Sequence, residues 1–218
     1  MCNRYAAPDP DAIKRHWQPK TGQARLWPTN VHPRTPGPFI RAADGGRELV
    51  VGQWGLVPLF AKAAKLPYST NNARAEELAA KPTFREPWKR GQRCIIPAVS
   101  FDEPNWETGK NVWWRFRRMD GAPWGLAGLW NTWVDKATGE VVESYTMLTL
   151  NADGHPLMRR MHKPKPDLPP DAQDKRSVIP IELDDVEQWL QGSLNDAKSL
   201  LKLAPVEIFD ARKAEHFG

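Results

Sequence analysis

Between residues 93 and 150 the chain carries four runs rich in β-branched and aromatic residues, the composition that suits a pleated, half-buried strand. They are Arg93-Cys94-Ile95-Ile96-Pro97, Val112-Trp113-Trp114-Arg115-Phe116-Arg117, Trp124-Gly125-Leu126-Ala127-Gly128-Leu129-Trp130 and Ser144-Tyr145-Thr146-Met147-Leu148-Thr149-Leu150. Hairpin-like turns, Glu107-Thr108-Gly109-Lys110 and Met119-Asp120-Gly121, fall between them. A further strand is read over residues 48–57. Helices are expected outside this block: residues 8–18, opened by Pro8-Asp9-Pro10; Ala73 to Ala80, closed by Lys81-Pro82; and Asp184 to Gln191, ended by Gly192. This pattern predicts an α+β fold, a mainly antiparallel β core with peripheral helices.

The 218 residues are the right number for one domain with one sizeable core. Proline (21) and glycine (15) are spread along the chain rather than pooled in a linker, and there is no repeat or heptad run, so no domain boundary is expected within 1–218. No apolar run is long enough to cross a bilayer, and Met1-Cys2-Asn3-Arg4-Tyr5 lacks the build of a secretory signal, which predicts a soluble, cytoplasmic protein. In that compartment Cys2 and Cys94 are expected as free thiols. A formal net charge of +5 suits a polyanionic partner, although many basic proteins bind nothing acidic. The 11 tryptophans outnumber the 3 tyrosines and 7 phenylalanines; core packing is the expected role for most of them.

Cys2 is the residue with distinctive chemistry. Removal of Met1 leaves it with a free α-amine, which titrates near about 8 and so keeps a neutral, nucleophilic fraction at neutral pH. Once that amine has made an imine with an aldehyde, the neighbouring thiol adds to the same carbon and closes a thiazolidine. No internal cysteine has this option. Taken alone, a Met-Cys start is more often incidental than functional.

Other segments change that balance. Met1-Cys2-Asn3-Arg4-Tyr5, Trp54-Gly55-Leu56-Val57-Pro58, Asn72-Ala73-Arg74-Ala75-Glu76, Arg93-Cys94-Ile95-Ile96-Pro97-Ala98 with Glu103 after it, and Ala127-Gly128-Leu129-Trp130 occur in one order along the chain. Together they resemble the SRAP (SOS response-associated peptidase) family, proteins that shield abasic sites in single-stranded DNA. The resemblance runs from Cys2 to the helix of Trp189. It implies a single SRAP-like domain over 1–218 with a barrel-like β core.

The resemblance also implies roles. Cys2 matches the family nucleophile, exposed by loss of Met1. Asn72 matches an asparagine that orients the N-terminal amine, with Asn71 as the neighbouring alternative. Glu103 matches the active-site glutamate, with Asp102 as the competing carboxylate; here Asp102 and Pro104 flank it in place of the family's aromatic and tryptophan. His162 matches the histidine that helps open the deoxyribose ring, with His155 as its rival. Residues 163–173 then intervene before Asp174-Lys175-Arg176-Ser177-Val178-Ile179-Pro180, where the family commonly continues directly. Arg4, Arg74 and Arg85 match positions near the phosphate backbone, with Lys89, Arg90 and Arg93 as additional basic candidates, and Pro33 and Phe60 fall where the family places groups against bases.

The function expected from these matches is that of an abasic-site sensor that binds single-stranded DNA and crosslinks to it through Cys2, with an associated DNA lyase and self-peptidase activity. Two other readings stand beside it: a thiol peptidase acting on other proteins, and a noncatalytic single-stranded-DNA-binding protein. The expected partner is single-stranded DNA containing abasic sites, met by a nucleoid-associated monomer. No cofactor and no metal are expected, because two distant cysteines and five scattered histidines give no ligand spacing.

Overall fold

All four central runs are strands, but they are shared between two sheets. The computed structural model describes residues 2–22 and 27–214. In chain order the elements are β1 (Tyr5–Ala6), α1 (Pro10–Trp17), β2 (Thr21–Gly22), β3 (Asn30–Val31), β4 (Pro36–Ala43) and β5 (Gly46–Trp54). Then come β6 (Asn72–Arg74), α2 (Pro82–Lys89), β7 (Arg93–Ala98), β8 (Ser100–Asn105), β9 (Val112–Arg118), β10 (Trp124–Val134) and β11 (Val141–Asn151). They are followed by β12 (Arg176–Val178), α3 (Val186–Gln191), α4 (Leu194–Ser199) and β13 (Phe209–Lys213).

Strands β11, β10, β7, β4 and β5 pair antiparallel in that order, and a parallel contact from β11 back to β5 at Tyr145 and Trp54 closes them into a barrel. Closure removes the open edges that a five-stranded sheet would otherwise present. On the outside of the barrel, β6 and β12 add to β11 and β2 adds to β5. The second sheet, in the order β13, β9, β8, β1, β3, is antiparallel throughout. The α+β class with a barrel-like, mainly antiparallel core is therefore as expected.

Inside the barrel Tyr5 and Tyr145 are fully buried and share a hydrogen bond of 2.5 Å between their hydroxyls. Gly37 makes room for them: a Cβ at that position would lie 2.1 Å from the Tyr145 hydroxyl. A second aromatic layer joins the sheets, with Phe101 stacked on Phe116 at 5.1 Å and Phe209 against Trp124 at 5.3 Å. Seven tryptophans, including Trp17, Trp54, Trp124 and Trp189, are buried, in keeping with a packing role.

Two local expectations change. The stretch Ala73 to Ala80 is not a helix. Asn72–Arg74 pairs in parallel with β11, leaving one 3-10 turn at Ala75–Glu77, and Pro82 opens α2 instead of closing a helix before it. Here tertiary pairing overrides the helical preference of an Ala- and Glu-rich segment. The strand read to residue 57 stops at Trp54, because Gly55 takes φ 147° and turns the chain away.

Candidate active site

Residues 2–4 lead into β1, which lies between β3 and β8, so the fold delivers Cys2 beside the strand that carries Glu103. Cys2 is fully buried, and its Sγ–H donates to the Arg4 carbonyl at 3.3 Å. Its own carbonyl accepts from Asn72 Nδ2 at 2.6 Å and from Asn71 Nδ2 at 3.3 Å. The two asparagines are not alternatives. Both grip the same carbonyl, and Asn71 adds a 3.0 Å bond to Asn3 Oδ1. Their backbone is fixed from below, since the Asn71 carbonyl accepts from Trp54 Nε1 at 2.8 Å and from the Met147 amide at 2.9 Å. Among the described residues the buried Asn72 Oδ1 has no hydrogen-bond partner, so this amide keeps an acceptor in reserve beside the Cys2 backbone.

Strand alternation separates the two candidate carboxylates. Asp102 accepts from Arg115 Nε and Nη2, at 2.9 and 3.0 Å, and pairs with Arg4 Nε at 3.4 Å. Glu103 faces the other way, 1% exposed, with its Oε2 2.8 Å from His162 Nε2. Burial alone would raise the Glu103 carboxyl, but nearby positive charge, that of His162 included, outweighs it and holds the group below its ordinary value. An ionised carboxylate only accepts, so Nε2 carries the proton in this pair. Burial first, and the Glu103 charge second, push the Cys2 thiol well above the ordinary cysteine range.

His162 sits at φ 65°, and its amide donates to the Pro104 carbonyl at 2.6 Å. The proline that departs from the family pattern thus supplies a carbonyl that holds the histidine. His155 does different work. Its Nε2 meets the Ala204 carbonyl at 2.8 Å, and its Nδ1 accepts from the Leu157 and Met158 amides, so its ring caps a turn in the core.

The structure gathers Cys2, Asn71, Asn72, Glu103 and His162 into one cluster. A cleft of about 1000 Å³ opens at His162, lined also by Trp106, Glu107, Arg159, Arg160 and Lys165. On Asn71 borders a cavity of about 210 Å³ that Pro33, Arg34 and Tyr68 also line. Pro33 and Arg34 form the turn His32–Thr35, in which Arg34 takes φ 68°. Arg4 is 9% exposed and paired with Asp102, while Arg74 is partly exposed and bonded to Glu77 and Asp174. Arg85, on α2, is exposed and pairs with Glu86 at 3.5 Å; Phe60 is 61% exposed. Arg93 is excluded from any surface role. It is 3% exposed, and its guanidinium binds the Trp189 and Gly192 carbonyls at the end of α3. Among the described residues no group of three or more His, Cys, Asp or Glu side chains is arranged to hold a metal ion, and no helix is long and apolar enough to cross a membrane.

An α+β barrel with a second sheet beside it, holding a buried second-position cysteine next to two asparagine amides and a carboxylate–imidazole pair, is the class of fold and site that this chain presents. Residues 1–215 match the family described as SOS response associated peptidase (SRAP), and the chain belongs to that family. The abasic site processing protein YobE of Bacillus subtilis is 30% identical over 165 residues, covering 69% of this chain and 74% of YobE. The abasic site processing protein YoqW, also of B. subtilis, is 34% identical over 133 residues, and the match spans 61% of this chain and 58% of YoqW. The abasic site processing protein HMCES of Xenopus tropicalis is 26% identical over 254 residues, covering 95% of this chain and 71% of HMCES. A crystal structure of a Bordetella bronchiseptica protein superposes with a TM-score of 0.87 at 35% identity, covering 99% of this chain and 100% of that one.

Proposed function

We propose that this protein, acting as one SRAP domain, binds single-stranded DNA at abasic sites and forms a covalent thiazolidine crosslink through Cys2 after Met1 is removed. The observation that carries the reading is the convergence on Cys2: two asparagine amides hold its carbonyl, and the Glu103 charge acts directly on its thiol. The names of the relatives support DNA with abasic sites as the substrate.

The chemistry follows in order. His162, a proton donor and acceptor, promotes opening of the deoxyribose ring to its aldehyde. The neutral α-amine of Cys2, oriented through Asn72, attacks that aldehyde. Glu103 and His162 relay the protons by which the carbinolamine loses water and becomes an imine. The thiol then adds across the C=N bond, sulfur to carbon and proton to nitrogen, closing the five-membered ring. The raised thiol pKa suits this sequence, because the amine reacts first and the thiol arrives protonated. β-Elimination from the same imine would give lyase activity, and release of Met1 is the peptidase step. Arg4, Arg74 and Arg85 hold phosphates, with Pro33 and Phe60 against bases. The protein works as a cytoplasmic, nucleoid-associated monomer. A general thiol peptidase is less well supported, since the Cys2 thiol donates to the Arg4 carbonyl and not to a histidine.

The test is incubation of purified protein with an abasic single-stranded oligonucleotide, read on a denaturing gel and by intact mass. The expected product is protein lacking Met1 plus DNA minus one water. No adduct from wild type, or an equal heat-stable band from Cys2→Ala, sinks the proposal.

A further inference from the structure

Lys175 is a lysine in an unusual place. It is 7% exposed, and its Nζ donates to the carbonyls of Met161 and His162, both at 2.7 Å. These two residues lie on the other side of the exposed segment 163–172, so the ammonium joins the two ends of a loop. The loop is organised on its own account by the Gln173 amide. Gln173 accepts from the Lys165 amide at 2.7 Å and donates to the Leu168 and Pro169 carbonyls at 2.7 and 3.0 Å. Lys175 is anchored in turn, because Asp153 accepts the amides of Asp174 and Lys175 at 3.0 and 2.8 Å.

The residue that benefits is His162. Its φ of 65° is a conformation that a non-glycine residue adopts only when its surroundings impose it. Two bonds do so: the Pro104 carbonyl takes its amide at 2.6 Å, and Lys175 takes its carbonyl. With both flanking peptide units fixed, the imidazole points at Glu103, although a long, solvent-exposed loop leaves directly from its C-terminal side. Without the ammonium, closing that loop costs chain entropy at the very residue whose side chain must stay aimed. A surface lysine reaching for phosphate has the opposite signature, an exposed head group with no internal acceptors.

We infer that Lys175 is a positioning residue for His162, clasping the ends of the 163–173 loop so that the imidazole is held against Glu103. This rests on the reading of His162 as the proton-transfer group of the crosslinking site.

The experiment measures single-turnover adduct formation across DNA concentration for wild type, Lys175→Met and Lys175→Arg, together with long-range imidazole 1H–15N spectra of each protein without DNA. Lys175→Met is expected to lower the saturating rate at least tenfold while the half-saturating DNA concentration stays within twofold. Lys175→Arg, which also donates to two carbonyls, restores most of the rate. The Nε2–H signature of His162 is lost in Lys175→Met, and the His155 signals stay in place and report an intact fold. If Lys175→Met does not fold, Lys175→Gln, a shorter and uncharged donor, replaces it with the same expectations at smaller amplitude. An unchanged His162 spectrum overturns the inference, as does an unchanged saturating rate with weaker, less salt-sensitive DNA binding, the mark of a phosphate contact. If wild type forms no adduct, the crosslinking function fails, and the His162 spectra alone still decide the role of Lys175.

Discussion

His162 Nε2 and Glu103 Oε2 stand 2.8 Å apart, although 59 residues separate them along the chain. The strand β8 supplies the carboxylate, and the Pro104 carbonyl on the same strand receives the His162 amide. One strand thus fixes both halves of the pair.

Replacing Glu103 by glutamine keeps the shape and removes the charge. Adduct formation at saturating abasic DNA is expected to slow by about 100-fold, in the range that a positioned proton-transfer group supplies. Stopped-time gels give the rate directly; a change under threefold would remove Glu103 from the chemistry.

The two asparagines on the Cys2 carbonyl should separate by experiment. Asn72→Ala removes the 2.6 Å bond and is expected to slow the adduct by about five- to tenfold with little effect on stability. Asn71, 4% exposed, has its side chain bonded to Ser69 and Asn3 as well as Cys2. Asn71→Ala therefore lowers stability by about 1–3 kcal/mol, measured by urea unfolding.

Because burial and then Glu103 push the Cys2 thiol upward, less of it is thiolate at pH 7 than in free cysteine. Iodoacetamide is expected to modify Cys2 at least tenfold more slowly than it modifies free cysteine at pH 7, with the rate climbing as pH rises. Peptide mass spectrometry follows the reaction. Modification as fast as free cysteine would show that the thiol is not buried as described.

Acid stability tests the same carboxylate from another side. The folded Glu103 pKa lies below its unfolded value of about 4.3, so the ionised group stabilises the fold above that pH, and the contribution is lost as pH falls through the folded value. The urea midpoint of wild type should exceed that of Glu103→Gln at pH 7, and the gap should narrow below about pH 5. Glu107, held at about 2 by Arg160 and then Asn105, lies on the surface and contributes little to this difference. A gap that stays constant down to pH 3 would contradict the assignment.

Much of the architecture is local information. The runs that became β7, β9, β10 and β11 announce themselves by β-branched and aromatic content, and α1 by its Asp9 cap and Pro10 start. The segment Ala73 to Ala80 misleads for the same reason: composition reports preference, while β11, more than seventy residues away, imposes the strand at Asn72–Arg74.

The sequence by itself determined the class of fold, the family and the special position of Cys2, because strand composition, ordered short motifs and a residue's place in the chain are all properties of the string. Only the tertiary structure decided which of two adjacent carboxylates meets His162, that Asn71 and Asn72 share one carbonyl, that His155 is a core cap, and that Lys175 clasps the loop. Those choices depend on which way a side chain points from its strand and on what distant segment lies opposite. Cys2 becomes more than a thiol near the start of a chain only when β1 carries it in beside β8.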